Sequence, residues 1–384
     1  MRHFILFTFF YTALIATTLK TGALSTREYL PQLEHKNVAM VVNHSSRIGD
    51  EHLVDFFLKH HLDVKRIFAP EHGFRGEADA GEHLSDGVDV KSGLPIVSLY
   101  GKHKKPTQKD LEGIDVIVFD IQDVGVRFYT YLSTLHYVME AAAQNGVKVI
   151  VLDRPNPNGS RIDGPVMQDD FRSFVGLHPV PILYGMTIGE YALMINGERW
   201  LEKGIQAQLE IIKLQHYKHS DFYHLPIKPS PNLPNDLSIA LYPSLALFEG
   251  TTISAGRGTE KQFQLYGAPQ YLKKHFSFIP VPMKGAKYPK HQGKRCFGVD
   301  LSTLDAKVVH EERSLSLTYL LDAYVNYSDK KHFFLKNQFF DRLAGSDILR
   351  KQIIRGSSEA TIRESWKDDL NAFKAIRQKY LLYP

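Results

Sequence analysis

The chain has 384 residues, enough for two or three domains, and its 43% hydrophobic and 23% charged residues are typical of a globular protein. The net charge of +5 at pH 7 is modest, and no run of lysine and arginine is long enough to indicate a nucleic-acid-binding arm. A single cysteine, Cys296, excludes an intrachain disulfide and a cysteine-rich metal site.

The first predicted element is an apolar run near the N-terminus. A short basic start precedes apolar residues 4–16, and small residues follow them. The run is too short to span a membrane comfortably and resembles a secretory signal peptide. We therefore predict a signal peptide over residues 1–22 and an exported protein, periplasmic or extracellular. The alternative is an uncleaved segment that holds the protein at the membrane.

Short apolar runs then alternate with amphipathic segments. The runs lie at residues 38–42, 64–68, 96–99, 115–119 and 147–152, and helices are predicted at 27–33, 52–60, 109–112 and 131–145. Continuous apolar strands alternating with helices are typical of a parallel sheet that is buried on both faces. The pattern predicts a Rossmann-like, doubly wound α/β domain, which a helix at 187–201 and a strand at 209–214 extend.

A proline-rich segment at residues 228–236 marks the predicted domain boundary, because three prolines in nine residues disfavour regular structure. We assign residues 23–236 to the Rossmann-like domain. Residues 237–384 are assigned to a smaller α+β domain that completes a cleft. Its predicted elements are a strand at 297–301 and helices at 315–324, 346–354 and 360–380.

Polar side chains follow four of the predicted strands. In a doubly wound sheet these strand ends lie on one edge, where ligands bind. The predicted ligand-binding residues at this edge are, in chain order, Asn43, Arg75, Arg127, Tyr129, Tyr131, Asp153, Arg154 and Asn156. Asn232 of the proline-rich segment and the glycine-flanked Arg257 are further candidates.

Glu71 is the leading candidate for a catalytic group, and the adjacent His72 is a further candidate. A proline precedes Glu71, His72 follows it, and Phe68 and Phe74 flank the turn. Cleavage of a glycosidic bond requires a carboxylic acid and usually a second carboxylate. Candidates for the second carboxylate are Asp120, Asp123, Asp153 and Glu249. Nearby tyrosines suit stacking against sugar rings, although each of them also suits core packing.

Motifs for other common chemistries are absent from the sequence. It contains no G-x-S-x-G elbow, P-loop, G-x-G-x-x-G turn or H-E-x-x-H helix, so we predict no cofactor. The potential metal ligands around the Glu71 turn are Glu71, His72, Asp79, Glu82 and His83. Exposed acidic loops often carry such groups of side chains without binding a metal, so we predict no metal site. A metal-dependent hydrolase is kept as the weaker alternative.

Nine segments together resemble a known family. They read TGA at 21–23, VVNHS at 41–45, APEHGFRG at 69–76, LPIVSLYG at 94–101, FDIQDVGVRFYTY at 119–131, LDRPNPNG at 152–159, PSPNLP at 229–234, FEGT at 248–251 and GRGT at 256–259. In these segments the chain is similar to the NamZ-type exo-β-N-acetylmuramidases over nearly its whole mature length. Two positions depart from the family pattern: Ser45 stands where threonine is usual, and Glu260 where aspartate is expected.

The resemblance implies a Rossmann-like domain, a smaller C-terminal domain and an active site between them. It implies release of N-acetylmuramic acid from the non-reducing ends of peptidoglycan fragments, either a disaccharide or a muropeptide. Glu71 matches the family's catalytic glutamate, and its role as general acid is our interpretation. The second carboxylate stays open, because substrate-assisted chemistry through the 2-acetamido group needs no carboxylate nucleophile.

The lactyl carboxylate of muramic acid calls for a cationic partner. Arg127, Arg154 and Arg257 are candidates, since a guanidinium binds a carboxylate through two hydrogen bonds. Each of them is also suited to a structural bridge with Asp120 or Asp153. The alternative function is a non-catalytic envelope protein that binds cell-wall sugars. We predict neither a nucleic-acid nor a protein partner.

Overall fold

The computed structural model describes residues 18–74 and 86–384, which form a seven-stranded sheet, a three-stranded sheet, two two-stranded sheets and the helices packed around them. The strands are, in chain order, β1 (Asn37–Val42), β2 (Arg47–Ile48), β3 (Glu51–His52), β4 (Asp63–Ala69), β5 (Gly87–Val88), β6 (Pro95–Ser98), β7 (Val116–Asp120), β8 (Lys148–Leu152), β9 (Ile162–Asp163), β10 (Leu183–Tyr184), β11 (Leu209–Ile212), β12 (Leu265–Ala268), β13 (Ser277–Phe278) and β14 (Cys296–Asp300). The α-helices are α1 (Thr26–Leu33), α2 (Leu53–Lys59), α3 (Gln108–Leu111), α4 (Tyr131–Asn145), α5 (Ile188–Gly197), α6 (Asp236–Leu245), α7 (Ala306–Glu311), α8 (Thr318–Val325), α9 (Phe339–Ala344), α10 (Ile348–Ile354), α11 (Glu359–Glu364) and α12 (Lys367–Gln378).

The large sheet has the strand order β11-β8-β7-β1-β4-β6-β5. All neighbouring strands are parallel except β5, which pairs antiparallel with β6 at the edge. The chain begins at the central β1, builds outward through β4 and β6, and then returns to build the other half from β7. This confirms the predicted doubly wound sheet and places its switch point between β1 and β7.

Both faces of the sheet are buried. Val38, Met40 and Val42 of β1 pack in one apolar cluster with residues of α1 and α2, whereas Ala39 and Val41 join a second cluster with α4 and α5. Successive strand residues point to opposite faces, so a strand covered on both sides must be apolar throughout. This is the physical reason for the continuous apolar runs in the sequence.

The C-terminal part contains the antiparallel sheet β12-β14-β13 and the helices from α7 onward. The larger apolar cluster continues from the α4 side of the large sheet into this part, where Phe248, Tyr266 and Phe373 belong to it. The smaller α+β part is therefore confirmed as a fold class. The predicted boundary between residues 236 and 237 falls at the first turn of α6.

Most predicted elements have the expected type, and two helices differ from their predicted extent by more than three residues. The predicted helix at 360–380 is wrong as a single helix, because α11 and α12 are separated at Trp366, which leaves the helical conformation and is buried. The predicted helix at 187–201 ends early, at Gly197. Thr187, followed three residues later by Glu190, has the sequence pattern of a capping box, and both capping hydrogen bonds are present at the start of α5. Gly146 adopts the left-handed conformation that ends α4.

The predicted signal peptide falls mostly on residues 1–17, which lie outside the described residues. Lys20 and Gly22 already belong to the folded body, since the Lys20 backbone pairs with Gln215 and the Gly22 amide donates to the carbonyl oxygen of Asp153 at 2.9 Å. The folded body thus begins before residue 23. No helix in the part of the chain that the structure describes is long and apolar enough to cross a membrane.

Gly22 approaches the backbone so closely that substitution by alanine should destabilise the fold. A Cβ atom there would lie 2.3 Å from the carbonyl oxygen of Ile212 and 2.6 Å from the amide nitrogen of Asp153. We expect Gly22→Ala to lower the free energy of unfolding by about 1–3 kcal/mol, the usual cost of overpacking. Denaturant midpoints measure this change. Gly87→Ala is the matched control, because its Cβ would meet nothing within 4 Å; equal midpoints for the two variants would contradict the prediction.

Candidate active site

A cavity of about 1070 Å³ lies between the carboxyl edge of the large sheet and the C-terminal part. Its volume is suited to a ligand of one or two sugar units. Loops after β4, β6 and β7 form one wall, and the segment before α6, α6 itself and residues after it form the other. The residues that line the cavity include Glu71, His72, Tyr129, Thr130, Tyr131, Asn232, Tyr242, Glu249, Arg257, Phe263 and Lys290.

Glu71 and His72 lie in a tight turn just beyond β4. His72 and Gly73 both adopt left-handed backbone conformations, with φ of 70° and 76°, and the Gly73 amide donates to the Pro70 carbonyl. A non-glycine residue rarely adopts this conformation, and such residues cluster at functional sites. The hydroxyl of Thr130 donates to Glu71 Oε2 at 2.6 Å, which fixes the carboxyl group relative to the start of α4.

Tyr129 and Tyr131 form the floor beside Glu71. Their rings meet edge to face with centroids 4.9 Å apart, and the Tyr129 hydroxyl donates to the Pro229 carbonyl oxygen at 2.9 Å. Asn43 lies behind Tyr131, where its amide donates to the tyrosine hydroxyl at 3.0 Å. Burial raises the pKa of both tyrosines, so both phenols stay protonated and hold the proline-rich segment in place.

An aromatic wall continues from this floor. Tyr242 of α6 packs edge to face against Tyr129, Phe128 and Phe263, with ring centroids 5.9, 5.7 and 4.8 Å apart. Sequence reasoning missed Tyr242, Phe263 and the Glu71 partner Thr130. A weak indication for Thr130 was present in the sequence, since it stands between two tyrosines predicted to bind the ligand. Tyr242 and Phe263 had none, because aromatic residues at helical or strand spacing are usually core.

Arg257 and Glu249 form an ion pair in the opposite wall. Arg257 Nη2 lies 2.6 Å from Glu249 Oε1, and the guanidinium covers the Phe263 ring at 5.4 Å from its centroid. Burial opposes the charge of Arg257, but Glu249, Tyr242 and Glu71 together outweigh it, and the pKa of Arg257 is raised. Of the predicted second carboxylates, Glu249 lines the cavity, whereas Asp120, Asp123 and Asp153 do not.

Asp120 and Arg154 pair with each other at the switch point of the sheet. Arg154 donates from Nε and Nη2 to the two oxygens of Asp120 at 2.5 and 2.8 Å, and both side chains are buried. Burial raises the pKa of Asp120, and the guanidinium partly offsets this effect. The geometry is that of the structural bridge that the sequence left open for Arg154.

Asp123 and Asp153 are also buried behind the cavity. Asp123 accepts hydrogen bonds from the Tyr184 hydroxyl and the Gly125 amide, and Asp153 accepts them from Thr187, Gly189 and Tyr383. Burial raises the pKa of each carboxyl to about 6, although these hydrogen bonds oppose the shift. Their oxygens hold loops and the C-terminal tail together.

Arg127 and Asn156 are likewise placed away from the cavity. The Arg127 guanidinium is buried and donates to three carbonyl oxygens, those of Pro165, Val180 and Leu343. Asn156 donates to the Met186 carbonyl and accepts from the Asn158 amide. Asn232 does line the cavity, and its amide nitrogen donates to the Gly285 carbonyl at 2.7 Å. Arg75 lies outside the described residues.

The structure thus gathers Glu71, His72, Tyr129, Tyr131, Asn232, Glu249 and Arg257 around one cavity. Within residues 18–74 and 86–384, no group of three or more histidine, cysteine, aspartate or glutamate side chains is arranged to hold a metal ion. Asp79, Glu82 and His83 of the alternative metal set fall outside those ranges.

Comparisons with known proteins agree on one family. The models of the N-terminal and C-terminal domains of exo-β-N-acetylmuramidase NamZ match residues 38–237 and 240–383. The chain is 40% identical to the peptidoglycan β-N-acetylmuramidase NamZ of Bacillus subtilis, across 93% of this chain and 89% of that protein.

Two solved structures of DUF1343 family proteins from Bacteroides fragilis have the same fold. The first is 43% identical with a TM-score of 0.89 and covers 96% of this chain and 99% of its own. The second is 30% identical with a TM-score of 0.81 and covers 95% and 99%.

Removal of Arg154 should destabilise the protein, because it leaves Asp120 buried without its counter-charge. We expect Arg154→Met to lower the free energy of unfolding by about 3–5 kcal/mol, measured by denaturant unfolding. The double variant Asp120→Asn with Arg154→Met removes the stranded charge and should recover part of this loss. A single variant as stable as the wild type would show that the pair is not structural.

Proposed function

This chain belongs to the NamZ family of exo-β-N-acetylmuramidases, and we propose that it is an exported enzyme that releases N-acetylmuramic acid from the non-reducing ends of peptidoglycan fragments during cell-wall turnover or recycling. It is a glycosidase by family membership. The observation that carries the proposal for its site is the position of Glu71, on the wall of a large cavity beside an aromatic surface. The expected substrate is a peptidoglycan-derived disaccharide or muropeptide.

The shape of the cavity supports a carbohydrate ligand. Aromatic rings offer flat apolar faces to the C–H groups of a sugar, while carboxylate, amide and guanidinium groups bind its polar substituents. Tyr129 and Tyr242 supply the first kind of surface. Glu71, Asn232 and Arg257 supply the second.

In the proposed mechanism Glu71 is the general acid. Its carboxyl donates a proton to the glycosidic oxygen as the bond from that oxygen to C1 breaks, so the rest of the glycan leaves as an alcohol. Positive charge then develops at C1. A water molecule supplies the hydroxyl of the released sugar, and its second proton restores the acid. The Thr130 hydroxyl, which donates to Oε2, orients the carboxyl throughout.

Glu249 is our candidate for the second catalytic group. It lines the cavity across from the Glu71 wall, and its ion pair with Arg257 holds it there. It would face the positive charge that develops at C1 or activate the attacking water. The 2-acetamido group of the substrate is the alternative nucleophile, and in that case Glu249 has a supporting role.

Arg257 is our candidate for the lactyl carboxylate of muramic acid. It is the one arginine of the three sequence candidates that lines the cavity. Glu249 holds its Nη2, and about 24% of the side chain stays exposed on the cavity wall, so part of the guanidinium is accessible to a ligand. A charge-assisted hydrogen bond from this guanidinium would distinguish a muramic from a glucosamine unit.

Substitution of Glu71 by glutamine tests the acid role. We expect Glu71→Gln to lower kcat/KM for the disaccharide of N-acetylmuramic acid and N-acetylglucosamine by at least about 10²-fold, the usual contribution of a general acid. The loss should be smaller for a dinitrophenyl β-N-acetylmuramide, because that leaving group departs without protonation. Product release is followed by chromatography, and release of the phenol by absorbance.

Glu34→Gln, at the exposed end of α1, is the matched control and should behave as the wild type. Equal losses on both substrates would exclude an acid role for Glu71. A wild-type protein that binds the disaccharide but releases no sugar would instead support the sugar-binding alternative.

Substitution of Arg257 tests the recognition of the lactyl group. We expect Arg257→Gln to weaken binding of N-acetylmuramic acid by about 10–100-fold, since a hydrogen bond to a charged group contributes about 1.5–3 kcal/mol. Binding of N-acetylglucosamine should change little, because that sugar has no carboxylate. Titration calorimetry measures both affinities, with the exposed Arg295→Gln as control. Equal weakening for the two sugars would assign Arg257 to another role.

A further inference from the structure

Lys290 has an environment that the proposed mechanism does not use. Its ammonium lies partly buried in the cavity wall and donates to three backbone carbonyl oxygens, those of Phe248, Thr251 and Ile253, at 3.1, 2.5 and 3.0 Å. No carboxylate of the described residues lies within ion-pair distance of it. A charge in such a site is costly unless polar groups compensate it, and the three carbonyl dipoles do so through direct hydrogen bonds.

The three carbonyls belong to the segment that presents Glu249. Phe248 precedes Glu249 at the end of a 3-10 helix (Ala246–Gly250), and Thr251 and Ile253 lie just after it. The chain therefore curls around the ammonium, in the way that oxygen ligands surround a monovalent cation. The neighbouring His291 ring extends this contact, because its Nε2 lies 2.6 Å from the Thr252 carbonyl oxygen.

We propose that Lys290 is a positioning residue whose ammonium acts as an internal monovalent cation and fixes the segment that carries Glu249 and, four residues after Ile253, Arg257. This inference rests on the proposed function of the cavity. It assigns Lys290 no contact with substrate: the ammonium acts through the backbone on either side of Glu249.

Among the described residues, the charged or titratable side chains that interact electrostatically with Lys290 are Glu249, Arg257 and His291. Burial lowers the pKa of Lys290 to about 8, Glu249 opposes the shift, and Arg257 adds to it. Above that pH the neutral amine keeps two N–H donors and gains a lone pair, so it cannot satisfy three carbonyls. Wild-type kcat/KM should therefore fall as the pH rises through about 8.

The matched pair Lys290→Ala and Lys290→Met tests the proposal. Alanine leaves a space lined by three carbonyls, whereas the methionine side chain fills it without a charge. We expect both variants to lose about tenfold or more in kcat for release of N-acetylmuramic acid. Ammonium chloride should restore activity to the alanine variant only, and tetramethylammonium chloride, which has no N–H donor, should restore neither.

A second readout does not depend on activity. Ammonium or rubidium ions should raise the melting temperature of Lys290→Ala by mass action, and they should leave that of Lys290→Met unchanged. If the wild type releases no muramic acid, the proposed function fails, and the melting experiment still decides the role of Lys290.

Two results would overturn the proposal. One is a Lys290→Met variant with wild-type kcat and the same alkaline decline. The other is a folded Lys290→Ala variant whose activity and melting temperature are both unchanged by ammonium. If the alanine variant does not fold, the pH profile of kcat/KM for the methionine variant is decisive. The proposal requires that this profile lack the alkaline decline near pH 8.

Discussion

The parallel pairing of β1 with both β4 and β7 is the constraint on which the site depends. Val41 stands opposite Phe68 on one side and Phe119 on the other, so the three central strands end at nearly the same level. The turn with Glu71 and the segment up to Tyr131 therefore leave the sheet at one edge. The hydrogen bond from Thr130 to Glu71 is possible because this register brings the two loops together.

Polar residues at this edge divide into two groups with different physical roles. One group, with Asp120, Arg154 and Asp153, is buried and satisfies its hydrogen bonds within the protein. Burial of such groups is costly unless they are paired, and their partners here come from different loops. The second group, with Glu71 and Tyr129, faces the cavity. The hydrogen bonds of the buried group hold in place the loops that carry the residues facing the cavity.

The two parts of the chain contribute opposite walls of the cavity. The Rossmann-like part supplies the carboxyl group of Glu71 and the tyrosine floor, and the C-terminal part supplies Glu249, Arg257 and Lys290. One apolar cluster runs through both parts, which fixes the distance across the cavity. Cleavage of a glycosidic bond uses groups on both sides of that bond, and two walls from different parts of the chain are suited to provide them.

The sequence by itself determined the class of the fold, because burial on both faces of a parallel sheet leaves a local record in continuous apolar runs between helices. It also determined local features such as the capping box at Thr187 and the glycine after α4, and it singled out Glu71 from its turn and its family motif.

Only the tertiary structure decided which polar strand ends reach the cavity. From the sequence, Arg127, Arg154 and Arg257 are equal candidates for binding a carboxylate. In the structure Arg127 donates to backbone carbonyl oxygens and Arg154 to Asp120. The places of Tyr242, Phe263 and Lys290 also required the structure, because each depends on partners brought close by the packing of the two parts and not by neighbouring sequence.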